Sequence, residues 1–183
     1  MRAGGGKAKG SEFERKTCKA LSLWLSHGQQ TDLFTRNVLS GGRFTIMQDK
    51  GDAGMPGDVA ASHPLSHAFL ERVLIECKHY KDLKLGELLH KPWGKTQIGL
   101  IYEKAHAQAK ATKRSALLIA QQNHVPPLLI ANATVGDALC DAFSARRGIQ
   151  LNFHTFYSNR IFVFNFEDVT NLVSAEAFLG ALP

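Results

Sequence analysis

Three charged residues interrupt otherwise apolar runs. Asp58 opens Gly57-Asp58-Val59-Ala60-Ala61, and Glu76 and Lys78 lie within Val73-Leu74-Ile75-Glu76-Cys77-Lys78. Residues two apart on a β-strand point to the same face, so Glu76 and Lys78 project together while Val73, Ile75 and Cys77 project to the other side. If Asp58 lies on the neighbouring strand of a hairpin, two carboxylates and an ammonium converge at one end of a small sheet. That set suits a hard cation and a phosphate better than it suits a core. Breaking a phosphodiester needs a nucleophilic water, neutralisation of phosphate charge and help for the leaving oxygen, and a divalent ion held by carboxylates supplies much of each. Mg²⁺ takes oxygen ligands and keeps several waters, so one or two carboxylates dock it. Asp58 and Glu76 are the expected ligands, joined by the main-chain carbonyl of Cys77. Lys78 would orient the attacking water and stabilise charge developing on the phosphate. The bland alternative is a surface hairpin with a solvated Glu and Lys.

The elements that must position these groups follow from periodicity. Ser11 to His27 reads as a helix, with Ser11 as N-cap, Glu14 at the capping-box spacing and Gly28 as its stop. Thr31–Leu39 and Arg43–Gln48 read as extended, separated by Ser40-Gly41-Gly42, and residues 49–57 as a glycine-rich loop. Asp58–Ser62 and Ala68–His79 are expected to form a hairpin around a turn at His63–Ser66. Leu83–His90 is a short helical piece, and Thr96–Lys113 is a second long helix. Ala116–Gln121 and Pro127–Ala131 are strands, Val135–Ala145 a helix, Leu151–Tyr157 and Arg160–Phe166 a second hairpin, and Ser174–Leu182 a last helix. The order αβββαββαββα is mixed α/β around a single core. Residues 1–10 are expected as a flexible basic arm and 11–183 as one domain, with a core to about 131 and an extension beyond it.

Bulk properties narrow the class of partner. The 183 residues carry 22 Lys+Arg against 16 Asp+Glu, a net charge of +6 and a pI near 9.3. Such a balance favours a polyanion, nucleic acid first. Of that charge, +4 falls in the first nineteen residues. Cys18, Cys77 and Cys140 are widely spaced with no C-x-x-C pair, which argues against a disulfide framework or zinc knuckle and for packing roles in a reducing compartment. No apolar run approaches a bilayer span, so the expectation is a soluble cytoplasmic protein with no membrane partner. Gly94-Lys95-Thr96 lacks a glycine five positions earlier, where Leu89 stands, and therefore is no phosphate loop. His63 and His67 lack zinc-type spacing, Trp93 is expected to pack, and the Phe-rich second hairpin is expected as core or a dimer face.

Lys9-Gly10-Ser11-x-x-Glu14-Arg15, then Ser40-Gly41-Gly42, Asp58, and Glu76-x-Lys78 together resemble the PD-(D/E)xK nuclease superfamily. The closest likeness is to archaeal-type Holliday junction resolvases and related small phage endonucleases. Leu117–His124 and Pro127–Ile130 resemble the later core strands of the phage branch. The resemblance implies a restriction-endonuclease-like αβββαβ core, a central mixed sheet flanked by helices, with the C-terminal hairpin and helix as an extension. It implies Mg²⁺-dependent DNA cleavage, with Mn²⁺ substituting, Glu14 as a further catalytic and metal-site acid, and Ser40 as a site serine. By analogy with enzymes that make paired cuts, a homodimer is expected. Lys7, Lys9, Arg15, Arg43, His79, Lys81 and Lys84 are the expected DNA contacts. One departure is that Gly57 stands where the family has proline before the aspartate, with Pro56 one step earlier. Asp52, also after a glycine, is the rival ligand, but Asp58 leads directly into an apolar run. A restriction-type or general DNA nuclease, and a non-catalytic DNA-binding protein on the same fold, are the alternatives.

Overall fold

The computed structural model describes residues 5–37, 56–143, 150–156 and 160–182, with side chains from residue 8 onward. Helix α1 (Gly5–Leu25) buries Phe13, Cys18, Leu21, Trp24 and Leu25, a stripe at three- and four-residue steps. It starts six residues before Ser11, which therefore sits inside the helix and is not its N-cap. Lys7, Ala8 and Lys9 are good helix formers and carry the helix through the glycines. At the other end His27 adopts φ +53, and the Gly28 N–H donates to the Leu23 carbonyl at 2.7 Å, a Schellman-type closure.

Strands β1 (Phe34–Arg36) and β2 (Val59–Ala61) form an antiparallel pair in which Arg36 faces Val59. The hairpin expected of Asp58–Ser62 and Ala68–His79 is not formed. Helix α2 (Pro64–Arg72) takes up the expected turn and the first five residues of the second arm, and β3 runs from Val73 to Tyr80. His63 caps α2 by accepting from the Leu65 N–H, Ser66 completes a capping box, and Pro64 stands at the helix start, where its missing N–H costs nothing. The pull comes from Phe69, fully buried against Trp24, Phe34 and Phe178.

After β3 come two 3₁₀ turns, Leu85–Leu89 and Trp93–Lys95, then α3 (Gln97–Ala111), β4 (Ser115–Gln122), β5 (Leu128–Ala131) and α4 (Ala133–Asp141). Strands β6 (Phe153–Phe156) and β7 (Ile161–Asn165) precede α5 (Phe166–Leu172) and α6 (Ala175–Ala181). Five strands make one mixed sheet in the order β3-β4-β5-β7-β6, in which only β3 and β4 are parallel. Helices α1, α2, α4, α5 and α6 cover one face. Helix α3 and the 3₁₀ turns, with Trp93 buried among them, cover the other. This is the restriction-endonuclease-like arrangement, a mixed sheet flanked by helices. The second hairpin lies within the central sheet, because β7 pairs with β5. Among the described residues no helix is long and apolar enough to cross a membrane.

Candidate metal and phosphate site

Strand β3 lies at the edge of the five-stranded sheet, and its backbone there is open to the segment entering β2. The Asp58 N–H donates to the Ile75 carbonyl at 2.9 Å, which brings Asp58 beside β3 without a hairpin. Gly57 makes this approach possible. Its φ is +114, and a Cβ there would stand 3.0 Å from the Ile75 carbonyl. Proline, locked near φ −65, cannot occupy that conformation. The departure from Pro-Asp is thus built into how this chain enters β2.

The Asp58 carboxylate is buried, 6% exposed. Its Oδ2 accepts from the Cys77 N–H at 2.9 Å and from Lys78 Nζ at 3.2 Å. Lys78 also pairs with Glu76 Oε1 and donates to the Cys77 carbonyl at 3.1 Å. Three oxygens from three residues therefore converge on one ammonium. Two carboxylates share a single lysine, so the cluster keeps a net negative charge. Burial, then the charge of Asp58, raises the Glu76 carboxyl above its ordinary range, and Lys78 only partly offsets this. Burial alone would lower the Lys78 ammonium, but Glu76 and then Asp58 outweigh it and hold it above its ordinary value. An all-oxygen donor set with an excess negative charge fits Mg²⁺ or Mn²⁺ chemically. Asp58, Glu76 and the Cys77 carbonyl are the groups that would hold it.

Glu14 stands apart from this set. Its carboxylate pairs with the Arg36 Nε on β1. The pair lies close by, since Glu14, Arg36 and Asp58 all bear on the charge of the buried Cys18 thiol. Among the described residues no three His, Cys, Asp or Glu side chains come near enough together to hold a metal. Ser40, Arg43 and the rival Asp52 lie outside the described residues, as does the side chain of Lys7. Lys9 and Arg15 are exposed on α1, and Lys81 and Lys84 are exposed after β3. His79 is part-buried, its ring against Phe13 at 5.5 Å and its Nε2 3.1 Å from Asn123 Oδ1. Its ring and one of its nitrogens are thus engaged within the protein. Burial pushes the Cys18 thiol up to about 12 and holds the Cys77 thiol well above its usual value, so both are neutral packing groups.

Two contributors escaped the sequence. Arg36 fixes Glu14, and Asn37 holds the Asp58 turn, donating from Nδ2 to the Gly57 carbonyl and from N–H to the Asp58 carbonyl, both at 2.9 Å. They lie some twenty residues from their partners, and nothing local marks them. A cleft of about 540 Å³ lined by Trp24, His27, Phe143 and Val173 contains none of the cluster residues; the chemistry sits on the sheet edge instead.

A mixed sheet flanked by helices, with Asp58 and Glu76-x-Lys78 meeting at the edge strand, defines the restriction-endonuclease-like class. The chain belongs to the family described as "Phage putative PDDEXK endonuclease", whose model matches residues 5–179. The match carries the superfamily, and an endonuclease by its description, but not the likeness to archaeal-type resolvases. No curated protein and no solved structure matches the chain.

Proposed function

We propose that the protein is a Mg²⁺-dependent DNA endonuclease acting on branched DNA, such as recombination or replication intermediates in a bacterial or phage-infected cell. The observation that carries this reading is the convergence of Asp58 Oδ2, Glu76 Oε1 and the Cys77 carbonyl on one cation position. A bound divalent ion supplies an activated water and charge neutralisation at the scissile phosphate. Asp58 and Glu76 bind and orient, and the Cys77 N–H holds Asp58 Oδ2 in place. Lys78 cedes the oxygens and turns its ammonium to the water and the phosphate, a movement its flexible stem allows. Arg36 holds Glu14 in reserve beside the site.

The test is cleavage of junction, flap, duplex and single-stranded DNA with Mg²⁺, using wild type, Asp58→Ala and Glu76→Ala. Each variant is expected to lose about 100-fold or more in rate, the scale of removing one preorganised electrostatic group. Wild-type rates in both variants would sink the site. Cutting of plain duplex at fixed sequences, with no preference for branches, would select a restriction-type enzyme. Paired cuts on a junction imply a homodimer, and sedimentation showing a monomer with and without DNA would contradict it.

A second reading, a DNA-binding protein without catalysis, is favoured by the neutralising contacts of Lys78 and by the Glu14–Arg36 pair. Titration in which neither Mg²⁺ nor Mn²⁺ binds would select it.

A further inference from the structure

Among the described residues, one buried cation lies outside the carboxylate cluster. Arg114, just beyond α3, is 8% exposed, and no carboxylate of the described residues bears on it; burial alone disfavours its charge. Its N–H closes the end of α3 on the Ala109 carbonyl at 2.8 Å. Nε donates to Thr112 Oγ1 at 2.9 Å. One terminal nitrogen donates to the Leu70 carbonyl at 3.3 Å and the other to the Pro56 carbonyl at 3.2 Å. Burying a guanidinium on neutral acceptors alone is costly. An apolar side chain would fill the space at less cost, so the charge must be giving something besides packing. What it gives is a fixed span from the last turn of α2 to the residue before Gly57-Asp58.

Three consecutive carbonyls there are each held by a separate donor. Arg114 holds Pro56, the Asn37 side chain holds Gly57, and the Asn37 N–H holds Asp58. Gly57 between them has its φ at +114, a conformation open to glycine and strained for any other residue, and glycine's freedom leaves the turn to be held by the donors around it. Asn37 grips the turn at Gly57 and Asp58, and Arg114 grips it upstream.

We propose that Arg114 is a positioning residue for the metal site: through the Pro56 carbonyl it fixes the turn that aims the Asp58 carboxylate at Glu76, the Cys77 carbonyl and Lys78. The inference rests on the reading of Asp58 as a metal ligand given above. Its planar fork spans two carbonyls in different segments, whereas a lysine ammonium at this position reaches one.

The test compares Arg114→Met, Arg114→Lys and a control, Val135→Ala in the core under α4, by native-state amide exchange and by Mn²⁺ titration. In Arg114→Met the Asp58 and Cys77 amides are expected to lose protection while those of β5 and β7 keep theirs. Mn²⁺ binding should weaken by about tenfold or more, the usual effect of removing a group that orients a ligand. Arg114→Lys should show a smaller loss confined to the same two amides, and it serves as the test if Arg114→Met does not fold. Wild-type protection at Asp58 and Cys77 in the variants would overturn the proposal. So would a loss spread evenly over the sheet, as expected for Val135→Ala. A wild type that binds no Mn²⁺ would count against the metal-site reading, while the amide comparison would still decide whether Arg114 holds the turn.

Discussion

Glu76 carries its charge at a cost. It is largely withdrawn from water, faces Asp58, and shares Lys78 with it, so its carboxyl titrates above the ordinary range. The folded state therefore holds this proton more tightly than the unfolded chain does. The stability it contributes is fully present below the unfolded value and is lost as pH rises through the raised folded value. In metal-free protein the melting temperature of Glu76→Gln should accordingly exceed that of wild type by a margin that grows with pH across that window. Thermal melts of both proteins across a pH series check this, and a margin independent of pH would refute it. Metal binding runs with the opposite sign, because a ligand must be ionised, so Mn²⁺ affinity should begin to fall at a pH above that of an ordinary glutamate. Glu76 and Lys78 were legible from sequence because two charges on one face of an apolar strand need an explanation. The Glu14–Arg36 pair was not, because it joins a helix to a strand 22 residues away.

At the scale of elements, the site depends on how α1 and β1 are brought to the edge of β3. Ser22, buried on α1, donates to the Cys18 carbonyl at 2.8 Å and accepts from the Phe34 N–H at 3.0 Å, which fixes β1 and hence Arg36 and Asn37. Two residues further on, in the same last turn, α1 is also pinned by Trp24, whose Nε1–H donates to the Val173 carbonyl at 2.7 Å between α5 and α6. Trp24→Phe keeps most of the packing but leaves that buried carbonyl unpaired, at a cost of about 1–3 kcal/mol. Chemical denaturation should show this loss, and a variant as stable as wild type would show that the bond contributes nothing. Most elements could be read from periodicity, including β3, α3, β4 and β5. Helix α2 could not, since Pro64 and the polar residues around it read as a turn and only the tertiary contacts of Phe69 reveal the helix. Helix α5 was hidden by the apolar run ending at Phe166, although Asn165, which accepts from the Glu167 and Asp168 N–H groups, is a readable cap with acids in the first turn.

For the molecule as a whole, the surplus of six positive charges matters less than where it falls. The contact of Phe13 with His79 sets the first half of α1 beside the end of β3. Lys9 and Arg15 are exposed on that half of the helix, and Lys81 and Lys84 are exposed just beyond the strand. The cluster itself carries net negative charge and repels a phosphate until a dication is bound. On the proposed reading, affinity for DNA would come from the exposed basic residues and the chemistry from the cluster. Each lysine that neutralises a phosphate releases counterions, so the slope of log affinity against log salt counts such contacts. Lys84→Ala, measured on uncleaved duplex in Ca²⁺ or without metal, should weaken binding evenly across sequences and make that slope shallower by about 1. Glu76→Ala should leave the slope as in wild type and, in metal-free buffer, bind DNA no less tightly, because it removes a repelling charge. A Lys84→Ala slope equal to wild type would place the DNA elsewhere on the surface, and weaker metal-free binding by Glu76→Ala would show that the cluster attracts the backbone rather than repelling it.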